Sequence, residues 1–274
     1  TQARGLDLYE DGLSIYTTLD SRMQKIANTA VEKHLNPFQQ DFNKFWNWDK
    51  YKELLSSLII KFAKESPDYK KAKTTYDKQR VLANLKTNPS FIAEVKRIAT
   101  NIEVGFVAMD VKTGEIRAMI GGRENNAGLG LNHTTQIRRQ PGSSFKPIIY
   151  LTAINNGLYP AYPILNSPFN YKGWSPRNFE GDAGGYMTLR DALKQSKNIV
   201  SARLIYEGYA HLSDIGKNAK AMGIKSKLDL VPAISLGTGE VTPLELVNAY
   251  QTIANKGIHI EPISILKIED KSGI

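Results

Sequence analysis

The stretch Arg139-Gln140-Pro141-Gly142-Ser143-Ser144-Phe145-Lys146-Pro147 decides how this 274-residue chain is read. Within it, Ser143 and Lys146 stand three residues apart. On a helix, positions i and i+3 share a face, so a hydroxyl and an amine would project together. A serine hydroxyl is a weak nucleophile at neutral pH and needs a base beside it. Lysine can be that base when burial or neighbouring positive charge lowers its pKa. Pro141-Gly142 marks a turn just before the pair. After it, Ile148, Ile149, Tyr150, Leu151, Ala153 and Ile154 form an almost wholly apolar run that stops at Asn156-Gly157. That pattern predicts a buried helix with a glycine stop. Pro147 fits only near the first turn, which places Ser143 at the N-terminus, where free N–H groups favour developing negative charge.

Working outward, Ser196-Lys197-Asn198 follows 53 residues after Ser143. It is the one Ser-x-Asn in the chain, and it supplies a second hydroxyl and an amide in the order that S-x-x-K chemistry uses. Ser196 could pass a proton between Lys146 and the attacking or leaving amine, and Asn198 could hydrogen-bond a substrate amide. A second S-x-x-K, Ser264-Ile265-Leu266-Lys267, lies in a stretch where apolar and polar residues alternate. Alternation predicts a strand, which turns Ser264 and Lys267 to opposite faces. It is read as coincidence.

With these residues in view, the segment 139–147 resembles the active-site segment of bifunctional (class A) penicillin-binding proteins. So does Thr188-Leu189-Arg190-Asp191-Ala192-Leu193 leading into Ser196 and Asn198. Leu236-Gly237-Thr238-Gly239-Glu240-Val241-Thr242-Pro243-Leu244-Glu245 resembles a downstream signature of the same domain. Val107 to Asp110 with Ala118 to Gly122 resembles its first hairpin, and Gly12 to Asp20 the linker entering it. The resemblance covers residues 10–35 and 101–274, with five segments in order.

It implies an α+β fold of the penicillin-binding transpeptidase and β-lactamase type, an antiparallel sheet flanked by helices. It implies a D,D-transpeptidase that cross-links peptidoglycan stem peptides ending in D-Ala-D-Ala through a Ser143 acyl-enzyme. Lys146 is then the base, Ser196 a proton relay and Asn198 a substrate-binding residue. β-Lactam antibiotics would acylate Ser143, and the place of action would be the bacterial cell envelope, outside the cytoplasmic membrane. A serine β-lactamase is one rival. Its class A type needs a deacylating glutamate after S-D-N, whereas here Lys197 is the middle residue and Glu245 lies within the Gly237 signature. The other rival is a non-catalytic penicillin-binding sensor.

The family's third motif, Lys-Thr/Ser-Gly on a late strand, has no convincing match. Lys112-Thr113-Gly114 precedes the nucleophile and sits between two apolar runs, as a hairpin turn does. Lys271-Ser272-Gly273 is in the right order but reads as another turn. The expectation is a domain that stops short of its last strands, which a second polypeptide or another copy would supply. The resemblance implies a membrane anchor and a glycosyltransferase domain upstream in the parent protein, and residues 1–35 are expected to be the linker that follows them. No stretch approaches the ~20 apolar residues of a span.

Residues 1–35 read as the linker, 36–100 as a helical insert and 101–274 as the transpeptidase domain. In the insert, Phe38, Phe42, Phe45, Trp46 and Trp48 crowd together. Tyr51, Leu54, Leu55, Leu58, Ile59 and Phe62 recur at helical spacing. Pro67 and Asn88-Pro89 break the run. The insert is either a self-packed helical unit or a docking surface for a partner or membrane.

Composition agrees with this reading. Hydrophobic content of 41% supports a packed core, and the absence of cysteine excludes disulfides, thiol chemistry and Cys-based zinc sites. A net charge of +9 suits an anionic neighbour such as a membrane surface or an acidic wall polymer. No nucleic-acid motif, phosphate loop, dinucleotide fingerprint or H-E-x-x-H occurs, so no nucleic acid, cofactor or metal is expected.

Overall fold

The computed structural model describes residues 7, 10–123, 130–181 and 184–270. It divides into two compact units: Thr1–Ala27 with Val104–Ile274, and Asn28–Glu103.

In the first unit the strands form three two-stranded antiparallel pairs. Strand β1 (Ser14–Thr17) pairs with the late strand Ile265–Glu269, with Ile15 opposite Ile268. Strands β2 (Phe106–Met109) and β3 (Ile116–Ile120) form a hairpin, with Ala108 opposite Ala118. Short strands β4 (Pro163–Leu165) and β5 (Tyr186–Thr188) make the third pair. The first two pairs are stitched together by backbone and side-chain bonds. The Ile116 N–H donates to the Ile263 carbonyl at 2.9 Å, and the buried Thr18 hydroxyl donates to the Ile116 carbonyl at 2.6 Å.

The expected antiparallel sheet with flanking helices takes the form of small two-stranded ladders among the described residues. Ser14–Thr17, read from sequence as linker, is a strand because the backbone of the late strand offers it partners. All four of its residues are exposed, so no alternation of burial marked it. Lys112-Thr113-Gly114 is the β2–β3 turn, as its flanks predicted. The Lys112 and Thr113 N–H groups donate to the Asp110 carboxylate at 2.8 and 2.9 Å, and Gly114 takes φ +74°. The second S-x-x-K is split: Ser264 precedes the late strand, and Lys267 within it faces Tyr16 and pairs with Glu269.

The core of this unit forms around α6 (Lys146–Asn155). Ile148, Ile149, Tyr150, Thr152 and Ala153 are all buried, as an all-round apolar helix requires. Around it lie α7 (Leu189–Lys194), α8 (Asn198–Tyr206), α9 (Leu212–Ala221) and a 3₁₀ turn at Pro232–Leu236. Leu189, Val200, Leu204, Ile215 and Ile234 from these elements join the same cluster. Helix α10 (Pro243–Ala254) opens with a capping box between Thr242 and Glu245. Its Glu245 carboxylate also accepts from Ser226, and these bonds outweigh burial to hold the group below the usual carboxylate range.

The second unit is helical. It continues α1 (Ser21–Phe45), which passes through the boundary at residue 36 where linker and insert were divided on sequence. Then come a 3₁₀ turn at Trp48–Tyr51, α2 (Lys52–Glu65), α3 (Pro67–Lys71), α4 (Thr75–Thr87) and α5 (Pro89–Thr100). Pro67 and Pro89 each open a helix behind a side-chain cap, Ser66 and Asn88. Leu35, Ile59, Ala63 and Val95 are its buried apolar residues. Trp46 stacks on Phe42 and Tyr51 and meets Trp48 edge-on, whereas Phe38 and Phe45 stay exposed. The aromatics thus divide between a self-packed cluster and free surface.

Candidate active site

Ser143 sits in the 3₁₀ turn Gly142–Phe145, which runs directly into α6. Two backbone devices hold that turn. The first is a short ladder, in which Arg139 and Val241 exchange N–H to carbonyl bonds of 3.0 Å in each direction. The second is a close approach of two glycines. The Gly142 N–H donates to the Gly237 carbonyl at 3.1 Å, and a Cβ on Gly237 would run into the Gly142 carbonyl oxygen. Gly237 also takes φ +75°, a region that side chains rarely enter. Beyond the ladder, the Tyr250 hydroxyl donates to the Ser144 carbonyl at 2.8 Å, and the Ser144 hydroxyl to that of Pro141 at 2.6 Å. Ser143 itself is exposed, while Phe145 and Lys146 are buried completely. The turn therefore leaves Ser143 exposed and drives the Lys146 side chain inward.

The Lys146 Nζ donates to the Ser196 carbonyl at 2.6 Å, to the Ser196 hydroxyl at 3.1 Å and to Asn198 Oδ1 at 2.7 Å. All three acceptors are neutral. Burial pushes the Lys146 pKa down to about 8. Its place in the first turn of α6 and beside the first turn of α8 works in the same direction, since helix N-termini disfavour positive charge. With a pKa near 8, about a tenth of the amine is neutral at pH 7, where an ordinary lysine has far less than a hundredth.

Ser196 is placed by the end of α7. The Ser196 N–H bonds the Leu193 carbonyl and the Lys197 N–H that of Ala192, both at 2.9 Å. These two bonds are the Schellman stop of a helix, in which the residue after the cap turns left-handed. Ser196 has φ +54° there, a position that glycine usually fills. The strain is kept at the residue that delivers both a carbonyl and a hydroxyl to Lys146.

Asn198 opens α8 and is held from both ends. Its Oδ1 accepts from Lys146, and its Nδ2 donates to the Arg177 carbonyl at 2.9 Å. The expected substrate-binding amide is thus also a bridge between Lys146 and the 177–180 segment. That segment was not singled out from sequence. Buried Asn178 accepts from the Ile199 N–H at 3.1 Å and donates to Asn166 Oδ1 at 2.9 Å, while Glu180 lies 3.3 Å from the Lys197 amine. An asparagine in a loop carries no periodic signal, so only the fold reveals that Asn178 takes up the Ile199 N–H in the first turn of α8.

Lys146, Ser196 and Asn198 are in this way brought together across 50 residues of chain, and Ser143 stands three residues before Lys146 in the turn that leads into α6. Lys271-Ser272-Gly273 lies outside the described residues. No group of three or more metal-ligating side chains gathers among the described residues, and no described helix is long and apolar enough to cross a membrane.

The family model of the penicillin binding protein transpeptidase domain matches residues 104–273. Penicillin-binding protein 1A of Neisseria lactamica is 30% identical over 328 residues, an alignment covering 98% of this chain and 40% of that protein. The Aquifex aeolicus penicillin-binding protein 1A is 32% identical over 295 residues, covering 97% of this chain and 40% of its own length. The fold is similar to that of PonA1 from Mycobacterium tuberculosis, solved in complex with penicillin V. The TM-score is 0.66 at 22% identity, over 99% of this chain and 60% of that one. The chain spans about 40% of the length of the curated relatives it matches. By the family match across most of its length, together with relatives at this identity, the chain belongs to the penicillin-binding protein transpeptidase family.

Proposed function

We propose that the chain cross-links peptidoglycan by a serine D,D-transpeptidase reaction and that β-lactams intercept it at Ser143. The observation that carries this reading is the fully buried Lys146 amine, held by Ser196 and Asn198 at the start of the helix that follows exposed Ser143. In the proposed reaction, the Ser143 oxygen attacks the carbonyl carbon of the penultimate D-alanine of a stem peptide. The neutral Lys146 amine takes the hydroxyl proton. The carbon–nitrogen bond to the last D-alanine breaks, and the Ser196 hydroxyl passes the proton to the departing amine. An amine of a second stem then attacks the ester, and Ser143 recovers its proton as the cross-link forms. The Ser143 N–H, at the start of a helical turn where such groups lack partners within the helix, supplies one donor to the oxyanion.

A β-lactam presents a strained amide in place of the D-alanyl bond. Its leaving nitrogen stays tethered, so the ester persists. The stem-peptide substrate lies outside the cytoplasmic membrane, and the proposal sets the working domain on that face of the envelope. A glycosyltransferase domain and a membrane anchor in the parent protein belong to the same proposal and rest on the resemblance to bifunctional relatives.

Labelling with a fluorescent penicillin tests the reading. Wild-type protein gains the mass of one penicillin, and the adduct maps to Ser143. Ser143→Ala, with an unchanged circular dichroism spectrum, gains none. Labelling that survives in Ser143→Ala overturns the assignment, and rapid release of hydrolysed penicillin moves the chain to the β-lactamase reading.

A further inference from the structure

A cavity of about 370 Å³ lies along α8, at the end remote from Asn198. Tyr171, Trp174, Tyr206, His211 and Ser213 are among its lining residues, and among the described residues no Asp, Glu, Lys or Arg lines it. Tyr171 and Trp174 are presented by a two-residue hairpin turn. Their N–H and carbonyl groups bond each other in both directions, at 2.8 and 2.9 Å. Between them, Lys172 and Gly173 take φ +49° and +87°, the paired left-handed conformation of a tight hairpin turn. The Asn170 side chain accepts from the Gly173 N–H at 3.0 Å and locks the turn further. Tyr206 is fixed as well, stacked on Phe169 and set edge-on to Tyr171. Half-buried Trp174, by contrast, has no ring partner among the described residues.

We infer that this cavity is a saccharide site, with Tyr171 and Trp174 stacking on the C–H face of a neutral pyranose ring. The volume is that of a small-ligand pocket. Aromatic faces beside an indole N–H, an imidazole and a hydroxyl suit a ligand that is apolar on its faces and polar at its rim. The described lining residues carry no Asp, Glu, Lys or Arg, and the Lys172 amine stands 5.5 Å from the centroid of the Tyr171 ring. The lining elements are two helices, a 3₁₀ turn and a hairpin of one bridge whose edge groups bond each other, so an extended peptide finds no ladder to join.

Which saccharide follows from the proposed transpeptidase reading, on which this step rests. Peptidoglycan carries its stem peptides on a glycan of N-acetylated sugars. Helix α8 runs from Asn198, at the candidate active site, to Tyr206 in the cavity, about 12 Å at 1.5 Å per residue. An extended peptide of four residues spans about 13 Å. A sugar seated at Trp174 therefore leaves its peptide the right length to reach the neighbourhood of Ser143. Trp174 is also three residues from Arg177, whose carbonyl holds Asn198.

The test titrates the protein with a tetramer of β-1,4-linked N-acetylglucosamine, a peptide-free glycan, and follows the Trp174 indole N–H by NMR. The resonance is expected to shift and saturate at millimolar ligand. Trp174→Ala and Tyr171→Ala should each weaken binding about tenfold, the upper end of what a lost ring contact is worth, and Trp174→Phe should keep most of it. Penicillin acylation of Ser143 in Trp174→Ala should stay at the wild-type rate. Absence of binding by the wild type overturns the inference, as does binding by both alanine variants equal to that of the wild type. A sugar-free stem peptide that shifts Trp174 while the tetramer does not also overturns it. Failure of penicillin to label Ser143 would instead strike the transpeptidase reading and leave tetramer binding to be scored separately.

Discussion

Lys146 Nζ lies 3.1 Å from the Ser196 hydroxyl, and among the described residues its hydrogen-bond partners are all neutral. A buried amine usually acquires an acidic partner, because an unpaired charge in low dielectric is costly. Here the partners are a carbonyl, a hydroxyl and an amide oxygen. They can accept from the ammonium but do not hold it as a carboxylate would. The same three groups remain good neighbours when Lys146 loses its proton, which is what a base that works in cycles requires.

The pH dependence follows from that arrangement. Acylation by penicillin should rise with pH and level off above about 8, where burial has placed the Lys146 pKa. Lys146→Ala should lower the rate about 10²–10⁴-fold, the worth of a positioned proton transfer, and remove the rise. Stopped-flow labelling across pH 6–10 checks both, and a flat wild-type profile would sink the assignment of Lys146 as base.

Stability should carry the same signature with a definite sign. The folded-state pKa of Lys146 is depressed from 10.5 to about 8, so the unfolded chain binds more protons between those values. Stability conferred at this position therefore rises with pH from about 8. Buried Tyr150 acts against it above pH 10, because its phenol is pushed upward by burial and resists ionising in the fold. Lys146→Met should flatten the wild-type gain between pH 8 and 10 in urea titrations. An identical pH slope in the variant would show that the amine is not destabilised by burial.

Ser196 separates backbone from chemistry. Its left-handed φ suits glycine better than serine, so Ser196→Gly should hold or raise the melting temperature by about 1–3 °C. The same change removes the hydroxyl beside Lys146 and should slow acylation at least tenfold. Differential scanning calorimetry and penicillin labelling on one preparation make the comparison. A faster or unchanged rate would reduce Ser196 to a helix stop.

Much of this site was legible in the chain, and the reason is local. Ser143 and Lys146 are three residues apart, and Pro147 admits only a first-turn position, so helical geometry alone brings them near each other. Ser196 and Asn198 were found by order, not by physics, since nothing local shows that α7 ends by turning a carbonyl toward Lys146. Asn178, Tyr250 and the Gly142–Gly237 contact were invisible for another reason. Each acts through hydrogen bonds or a close approach between residues distant in the chain, and such pairings leave no period. The strands were legible where burial alternates, as in Ile116–Ile120, and were missed where every residue is exposed, as in Ser14–Thr17.

Asn198→Asp reverses the electrostatics without changing the shape. The new carboxylate would replace an amide oxygen that stands 2.7 Å from Lys146 Nζ. An opposite charge at that distance raises a lysine pKa by about 1–3 pH units. The acylation profile should move toward higher pH by that amount, with activity lost near neutrality and partly regained at pH 10. A midpoint that stays near 8 would mean that Asn198 does not govern the protonation of Lys146.

Gly237→Ala tests the contact that holds the nucleophile's turn. Two costs combine at this position. Alanine at φ +75° is strained by about 1–2 kcal/mol, and its Cβ would run into the Gly142 carbonyl oxygen, so the backbone on one side must move. Gly257 provides the control. It has φ +86°, but a Cβ there would meet no atom within 4 Å, so Gly257→Ala carries the conformational cost alone. That cost should lower the melting temperature by about 2–8 °C. Gly237→Ala should lower it further, and because Ser143 follows Gly142 directly, it should also slow penicillin acylation at temperatures where the protein is folded. Gly257→Ala should leave that rate unchanged. Equal melting temperatures for the two variants, or a wild-type acylation rate in folded Gly237→Ala, would show that the glycine contact does not set the position of Ser143.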